Sequence, residues 1–332
     1  MAQLGVALLT FAPARTREFV ELAQAAEAHG YDSCYTTESL TDALSIDLAM
    51  LLGTSRIRIG SYVSISYLRH PVIAAAMAVT ASDLSGGRFV LGLGLGHRAR
   101  LAALGVTSGR PAEDLPAYVR DVKAVLGGRG RERYPDLPPQ TYRDRLLQFR
   151  TPEHPVPVYT AAVGPRMAEA GAVESDGVMA WLVPRSGIGR LTAATARAGD
   201  RTGRAAPPVE AAVHAFVTDD LAAGRAAARA SLSYWVGMAS YNSALAGAGY
   251  PDEAAQIAAA FAAGDQAGLR AAISDRLIDE YCLVGPPARC REQIAAWDET
   301  GVATVVAVPH PVAPQETYVA GVRRSLAALA PS

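Results

Sequence analysis

The sequence predicts a single α/β domain over residues 1–332, built as a (β/α)8 TIM barrel with insertions. Three observations carry this expectation. Short apolar runs alternate with helical patterns along nearly the whole chain, as in a parallel sheet. Eight such strand–helix units can be counted with no break in composition between them. Half of the 332 residues are hydrophobic and only 19% are charged, so one large core is readily filled. A doubly wound sheet shares the alternation and is the alternative.

The elements follow in order. Gln3–Leu9 is a strand closed by Thr10, Phe11 and Pro13. Arg15–His29 carries Phe19, Leu22, Ala23 and Ala26 at helical spacing, and Gly30 is placed to stop that helix. Asp32–Thr37 is the second strand, ending at Glu38 and Ser39, and Ile46–Gly53 the next helix. Ile57–Ile65 reads as one strand, Pro71–Leu84 as a helix opened by proline, and Arg88–Leu93 as the fourth strand after a Ser-Gly-Gly turn.

Arg98–Gly127 is mostly helical, with Val119, Val122 and Val125 as its buried stripe. Residues 128–155 are broken by glycine and proline and read as a partly ordered lid, with a plain surface loop as the alternative. Val156–Ala161 is strand five, Arg166–Val173 a helix, Val178–Val183 strand six with Trp181 inside it, and Ile188–Ala198 a helix. Val209–Val217 is strand seven, with Asp219 as the following helix start. Alanine-rich sequence over 222–263 exceeds one crossover and reads as an inserted helical pair, the insertion spanning about 234–280. Ala288–Glu299, Thr304–Val308 and Gln315–Leu329 supply a helix, the eighth strand and a closing helix.

Bulk properties exclude several functions. A formal net charge of −1 gives no basis for nucleic-acid or anionic-membrane binding, and no apolar run reaches the ~20 residues of a membrane span. Three cysteines without metal-ligand spacing, and no basic and apolar leader, lead us to expect a cytoplasmic protein with free thiols and no bound metal. No GxSxG nucleophile elbow occurs.

Two stretches are placed for ligand chemistry. Gly92, Gly94 and Gly96 alternate along strand four but lack dinucleotide-motif spacing, so they mark either close backbone approach or a flat ligand against the strand end. Gly164-Pro165 opens a helix whose free first-turn amides suit a phosphate, an ordinary capped helix being the alternative. Of the six histidines, His97 follows the last glycine and would project into a barrel mouth. His29 reads as a helix-end cap, His70 as structural or functional, and His154, His214 and His310 carry no signal.

In combination, IRIGSYVSISYLRHPVIAAAMAVTASDLSGGRFVLGLGLGH, PVPVYTAAVGPRMAEAGAVESDGVM and LVGPPARCREQIAAWDETGV resemble the bacterial luciferase-like flavin and deazaflavin oxidoreductases. The layout is most similar to the F420-dependent branch that includes methylene-tetrahydromethanopterin reductase. The resemblance implies a (β/α)8 barrel and a non-prolyl cis peptide at Tyr62–Val63, behind a central ring. It also implies cofactor contacts from Glu38 and Ser39, from Leu95, Gly96, His97 and Arg98, from Ala161, Ala162, Val163 and Gly164, and from Trp181, Leu182 and Val183. The implied cofactor is coenzyme F420, with FMN the alternative.

Relatives acting on sugar phosphates carry Asp-His where this chain has Glu38-Ser39, a tryptophan where it has small residues near Ala43, and an acid where it has His97. Sugar-phosphate oxidation is therefore not expected. The activity implied is hydride transfer from reduced F420 to a C=C or C=N bond of an organic small-molecule or peptide substrate. Glu38, His97 or Tyr67 would supply the proton. A reduced-FMN monooxygenase and a non-catalytic flavin-binding protein are the alternatives, and a homodimer is the expected assembly.

Overall fold

The computed structural model describes residues 2–39, 41–135 and 150–331. Eight parallel strands close into a barrel: β1 (Gln3–Leu8), β2 (Ser33–Thr36), β3 (Arg58–Ser61) continued by β4 (Ser64–Ile65), β5 (Phe89–Gly94), β6 (Val158–Ala162), β7 (Gly177–Trp181), β8 (Val209–Val217) and, beyond β9 (Cys282–Gly285), β10 (Thr304–Pro309). Closure is made by β10, which pairs with β8 on one side and β1 on the other. A parallel pair needs a long crossover, and helices supply it. They are α1 (Thr16–Ala28), α2 (Ala43–Gly53), α3 (Pro71–Ser85), α4 (Arg98–Ala103), α5 (Pro111–Leu126), α6 (Gly130–Arg133), α7 (Pro165–Ala172), α8 (Ile188–Thr202), α9 (Leu221–Ser233), α10 (Ala239–Gly247), α11 (Pro251–Ala262), α12 (Gln266–Ala272), α13 (Asp275–Tyr281), α14 (Pro287–Asp298) and α15 (Tyr318–Leu329).

Several boundaries differ from the sequence reading, each for a local reason. The strand expected over 57–65 is broken at the cis Tyr62–Val63 peptide. Asp42 caps α2 by accepting from the Leu44 amide, so that helix starts before Ile46. The helical stretch after Arg98 is two helices, parted at residues 104–110. Asp220, not Asp219, caps α9, and Thr317 caps α15 in place of a start at Gln315. β7 ends at Trp181, because Leu182 takes a left-handed φ of 51° and turns the chain out of the ladder. A ninth element, β9, pairs with the far end of β8 and is not part of the closed barrel.

The expected inserted pair is instead four short helices, α10 to α13. Leu232, Tyr241, Leu245, Ile257 and Ile278 bury against Leu182 and Phe216 from the strand ends, forming a second apolar cluster beside the main barrel core. Of the expected lid, residues 136–149 lie outside the described residues, and 130–133 form α6.

Inside the barrel, Glu210 is buried near the amino-terminal end of β8, with Thr304 Oγ1 3.3 Å and Arg58 Nη2 4.0 Å away. One layer further on, the Tyr62 hydroxyl crosses the barrel and lies 3.0 Å from the carbonyls of both Ala180 and Glu210. The interior is thus filled, and any ligand must sit above it, at the carboxyl ends of the strands.

Candidate functional site

The alternating glycines of β5 make room for the broken strand beside them. A Cβ on Gly92 would come within 2.0 Å of the Ser61 carbonyl oxygen, and one on Gly94 within 2.4 Å of Val63 Cγ2. Ser61 Oγ also donates to the Gly92 carbonyl at 2.8 Å. Close backbone approach is therefore what the glycine pattern encodes, and it brings Tyr62 and Val63 to the mouth. Tyr62 is buried, with its ring centroid 5.5 Å from that of Tyr35 and 6.0 Å from that of Trp181.

Glu38, expected to contact cofactor or supply a proton, is held on every side. Arg69 meets both carboxylate oxygens, Nη1 to Oε2 at 2.6 Å and Nη2 to Oε1. The Ile65 amide and Ser64 Oγ donate to the same Oε2. The glutamate side chain is only 3% exposed, so its oxygens face the strand break and not the open mouth. Its geometry is that of a clamp joining the end of β2 to residues 64–69. Ser39 beside it is buried.

Tyr67 is tied elsewhere as well. Its hydroxyl donates to Asp114 and accepts from the Gly109 amide at 3.0 Å, stapling residues 66–68 to the start of α5. Burial, then the Asp114 carboxylate, raises its pKa. His97 is different. It lies partly buried in an aromatic box, its ring 5.3 Å from that of Trp235 and 6.0 Å from that of Tyr241. Burial, and after it the positive charge of Arg100, lowers its pKa, so the imidazole is uncharged at neutral pH. Leu95 packs on the main core, Gly96 has a positive φ of 74°, and Arg98 points outward to the Gly109 carbonyl.

Across the mouth, Ala161 and Ala162 end β6, and Val163 and Gly164 lead into α7. Gly164 caps α7 without any side-chain hydrogen bond, Pro165 holds the first helical position, and a Cβ on Gly164 would meet nothing within 4 Å. A cleft of about 100 Å³ opens here, lined by Val163, Gly164, Val183, Arg190, Ser240 and Ser243 among others. Free first-turn amides, a guanidinium and two hydroxyls around a space of that size suit a phosphate group.

Two features of this end escaped the sequence reading. Arg190, Ser240 and Ser243 carry no motif; their only signal is position, one in the first turn of α8 and two in the inserted segment. His214 and His310, which carry no signal in the sequence, pair at the mouth, with His310 Nε2 2.9 Å from His214 Nδ1. His70 is structural, its Nδ1 accepting from the Val72 amide at the head of α3. All three cysteines are free and buried, and no group of three or more His, Cys, Asp or Glu among the described residues could hold a metal.

A closed parallel barrel with a phosphate-sized cleft and an aromatic floor at its carboxyl end defines a ligand-binding (β/α)8 protein. The luciferase-like monooxygenase family model matches residues 2–304, and the chain belongs to that family. The 5,10-methylenetetrahydromethanopterin reductase of Methanolobus tindarius is 26% identical over 291 residues, covering 86% of this chain and 88% of that protein. The coenzyme F420-dependent tetrahydromethanopterin reductase of Methanopyrus kandleri superposes with a TM-score of 0.76 at 19% identity, over 99% of this chain and 98% of that one. An F420-dependent secondary alcohol dehydrogenase bound to an F420-acetone adduct superposes with a TM-score of 0.72 at 17% identity, covering 99% of this chain and of that one nearly all. An FMN-bound type II Baeyer-Villiger monooxygenase of Pseudomonas putida gives 0.65 at 17%, covering 99% of this chain and 97% of that one. No helix among the described residues is long and apolar enough to cross a membrane.

Proposed function

We propose that this chain is an F420-dependent oxidoreductase of the cytoplasm, moving a hydride between reduced deazaflavin and a C=C or C=N bond of an organic substrate. The observation that carries the reading is the cleft at the head of α7, which opens beside the aromatic floor formed by Trp181 and Tyr62. The amides of Gly164 and α7, with Arg190, Ser240 and Ser243, would hold the cofactor phosphate. Val63, Leu95 to Arg98, and Trp181 to Val183 would border its ring. When bound, the deazaflavin supplies a hydride donor that has carbon in place of the flavin N5 and does not activate oxygen. His97 is the one of the three expected proton donors whose side chain no hydrogen bond among the described residues ties to the scaffold, and we assign it to the substrate side.

Two structural neighbours and one relative are named for F420, which supports that cofactor. The FMN-bound neighbour supports a second reading, a monooxygenase fed with reduced flavin, because the cleft can take either phosphate. A thermal-shift comparison separates them. A ligand at a hundredfold excess over its Kd stabilises by about 2.7 kcal/mol, so F420 is expected to raise Tm at concentrations where FMN does not. Stabilisation by FMN alone, with oxygen-dependent turnover of FMNH2, would overturn the F420 reading. Binding without turnover of any acceptor would point to a non-catalytic flavin-binding protein.

We also propose a homodimer. Leu52 is 69% exposed on α2, and Ile73 and Leu84 are 56% and 52% exposed on α3. These two helices touch each other and carry apolar residues on all sides, so an outward face is left for a second copy.

A further inference from the structure

The pair His214–His310 has no part in the function proposed so far, yet the barrel aims it at the mouth. Thr304 and Glu210 touch inside the barrel, and side chains alternate along a strand, so His214 and residue 310 share their inner face. The His310 amide donates to the Ala215 carbonyl at 2.9 Å, which carries the β10–β8 ladder through this residue. His310 stacks on Phe216 with ring centroids 4.7 Å apart and planes 11° apart. His214 stands edge-on to Trp181 at 5.4 Å and is fully buried, whereas His310 is partly exposed.

We propose that His310, held by His214 and Phe216, is a substrate-binding residue that presents its Nδ1–H to the carbonyl oxygen of an uncharged, conjugated acceptor. This deepens the oxidoreductase reading above and rests on it.

The direction of the bond follows from accounting for protons. One proton lies between His310 Nε2 and His214 Nδ1. Burial lowers His214 well below the usual histidine range, with His310 adding to the effect, and burial lowers His310 to about 4, so both rings are uncharged. If His310 were the donor, His214 would carry its proton on Nε2, which is buried and has no hydrogen-bond partner among the described residues. Buried N–H groups are seldom left so. With His214 donating from Nδ1, His310 keeps its own proton on Nδ1, the nitrogen with no protein partner among the described residues. Ser231 Oγ lies 3.4 Å from the same His214 Nδ1 and needs no charge there, and the rings flanking the pair, Trp181 and Phe216, are aromatic, which favours an uncharged ligand. A fixed donor of this kind strengthens its bond as charge grows on the acceptor oxygen.

The test uses cyclohexenone as probe and nitrogen NMR of isotope-labelled histidine in the full chain, with and without F420. In the wild type, His310 is expected to show protonated Nδ1 and bare Nε2, and the Nδ1 signal should move saturably with cyclohexenone. H310N keeps a donor near the Nδ1 position, and H310Q keeps one near Nε2. H310N should hold probe affinity within a few-fold of wild type, while H310Q weakens it about tenfold. A purely structural role for the His214 contact predicts the reverse order and would overturn the proposal. So would a wild-type Nδ1 signal indifferent to the probe, a reading that does not depend on either variant folding. F420 binding is followed separately by its own fluorescence. Loss of F420 binding with the probe response intact removes the cofactor reading and leaves the subsite; the opposite result removes the subsite.

Discussion

Val63 Cγ2 lies 2.4 Å from the point where a Cβ on Gly94 would stand. The glycine is therefore the condition for the strand break that brings Val63 to the mouth. Gly164, by contrast, has open space around that point and an extended φ of −135°. Gly94→Ala is expected to lower stability by about 1–3 kcal/mol, as overpacking does, and to weaken F420 binding. Gly164→Ala should leave urea unfolding unchanged and act on cofactor affinity alone. Equal unfolding midpoints for the two variants would contradict this account of the β5 glycines.

Arg69 is the sole cation at Glu38 among the described residues, and the pair is largely buried, 15% and 3% exposed. Arg69→Met leaves a buried carboxylate without its partner, at a cost of about 3 kcal/mol. The double variant R69M/E38Q is expected to recover a good part of this in urea unfolding, because no buried unpaired charge remains; Asp42, which also pairs with Arg69, is 46% exposed and stays solvated. A full-strength loss in the double variant would mean that packing, not charge, governs this corner.

Asp47 is fully buried between α2 and β2, with Thr36 Oγ1 at 2.7 Å on one oxygen and no hydrogen-bond partner described for the other. Burial pushes its carboxyl well above the usual range. A raised acid pKa favours the folded state below the unfolded value of about 3.9 and loses that contribution as pH rises toward the folded value. Asp47→Asn should therefore gain stability relative to wild type between pH 4 and neutrality, with a slope up to about 1.4 kcal/mol per pH unit. A pH-independent difference between the two proteins would rule this out.

The histidine pair has the opposite sign. His310 is lowered to about 4 by burial and His214 is also lowered. Their contribution is complete above the unfolded value of about 6.5 and is lost as pH falls toward the folded values. Acid unfolding of the wild type should steepen below about pH 6.5. H310N removes the His310 part of that limb, which a pH series of Tm would reveal.

Ile73→Glu places a charge on the apolar face shared by α2 and α3. In light scattering it is expected to turn a dimer into a monomer, with F420 affinity retained because the face is remote from the α7 cleft. A wild type that is monomeric at micromolar concentration would remove the proposed assembly.

The sequence by itself determined the strand–helix alternation and the segments that meet at the mouth, and its resemblance pointed to the barrel that the β10–β1 and β10–β8 pairings close. Those features are written in contiguous stretches: apolar runs four to nine residues long, a proline-opened helix after His70, glycines two apart in β5. Such patterns act through local backbone preference and burial, which a linear reading captures. What individual side chains do there was decided only by tertiary structure. Glu38 became a clamp because Arg69, 31 residues later, folds back onto it. Tyr67 was drawn to Asp114, 47 residues away. His214 and His310, 96 residues apart and featureless in sequence, pair because β8 and β10 close the barrel in a register that sets His214 opposite Val308, two residues before His310 on the same face. Periodicity assigns a residue to a face; only closure of the sheet selects its partner across that face.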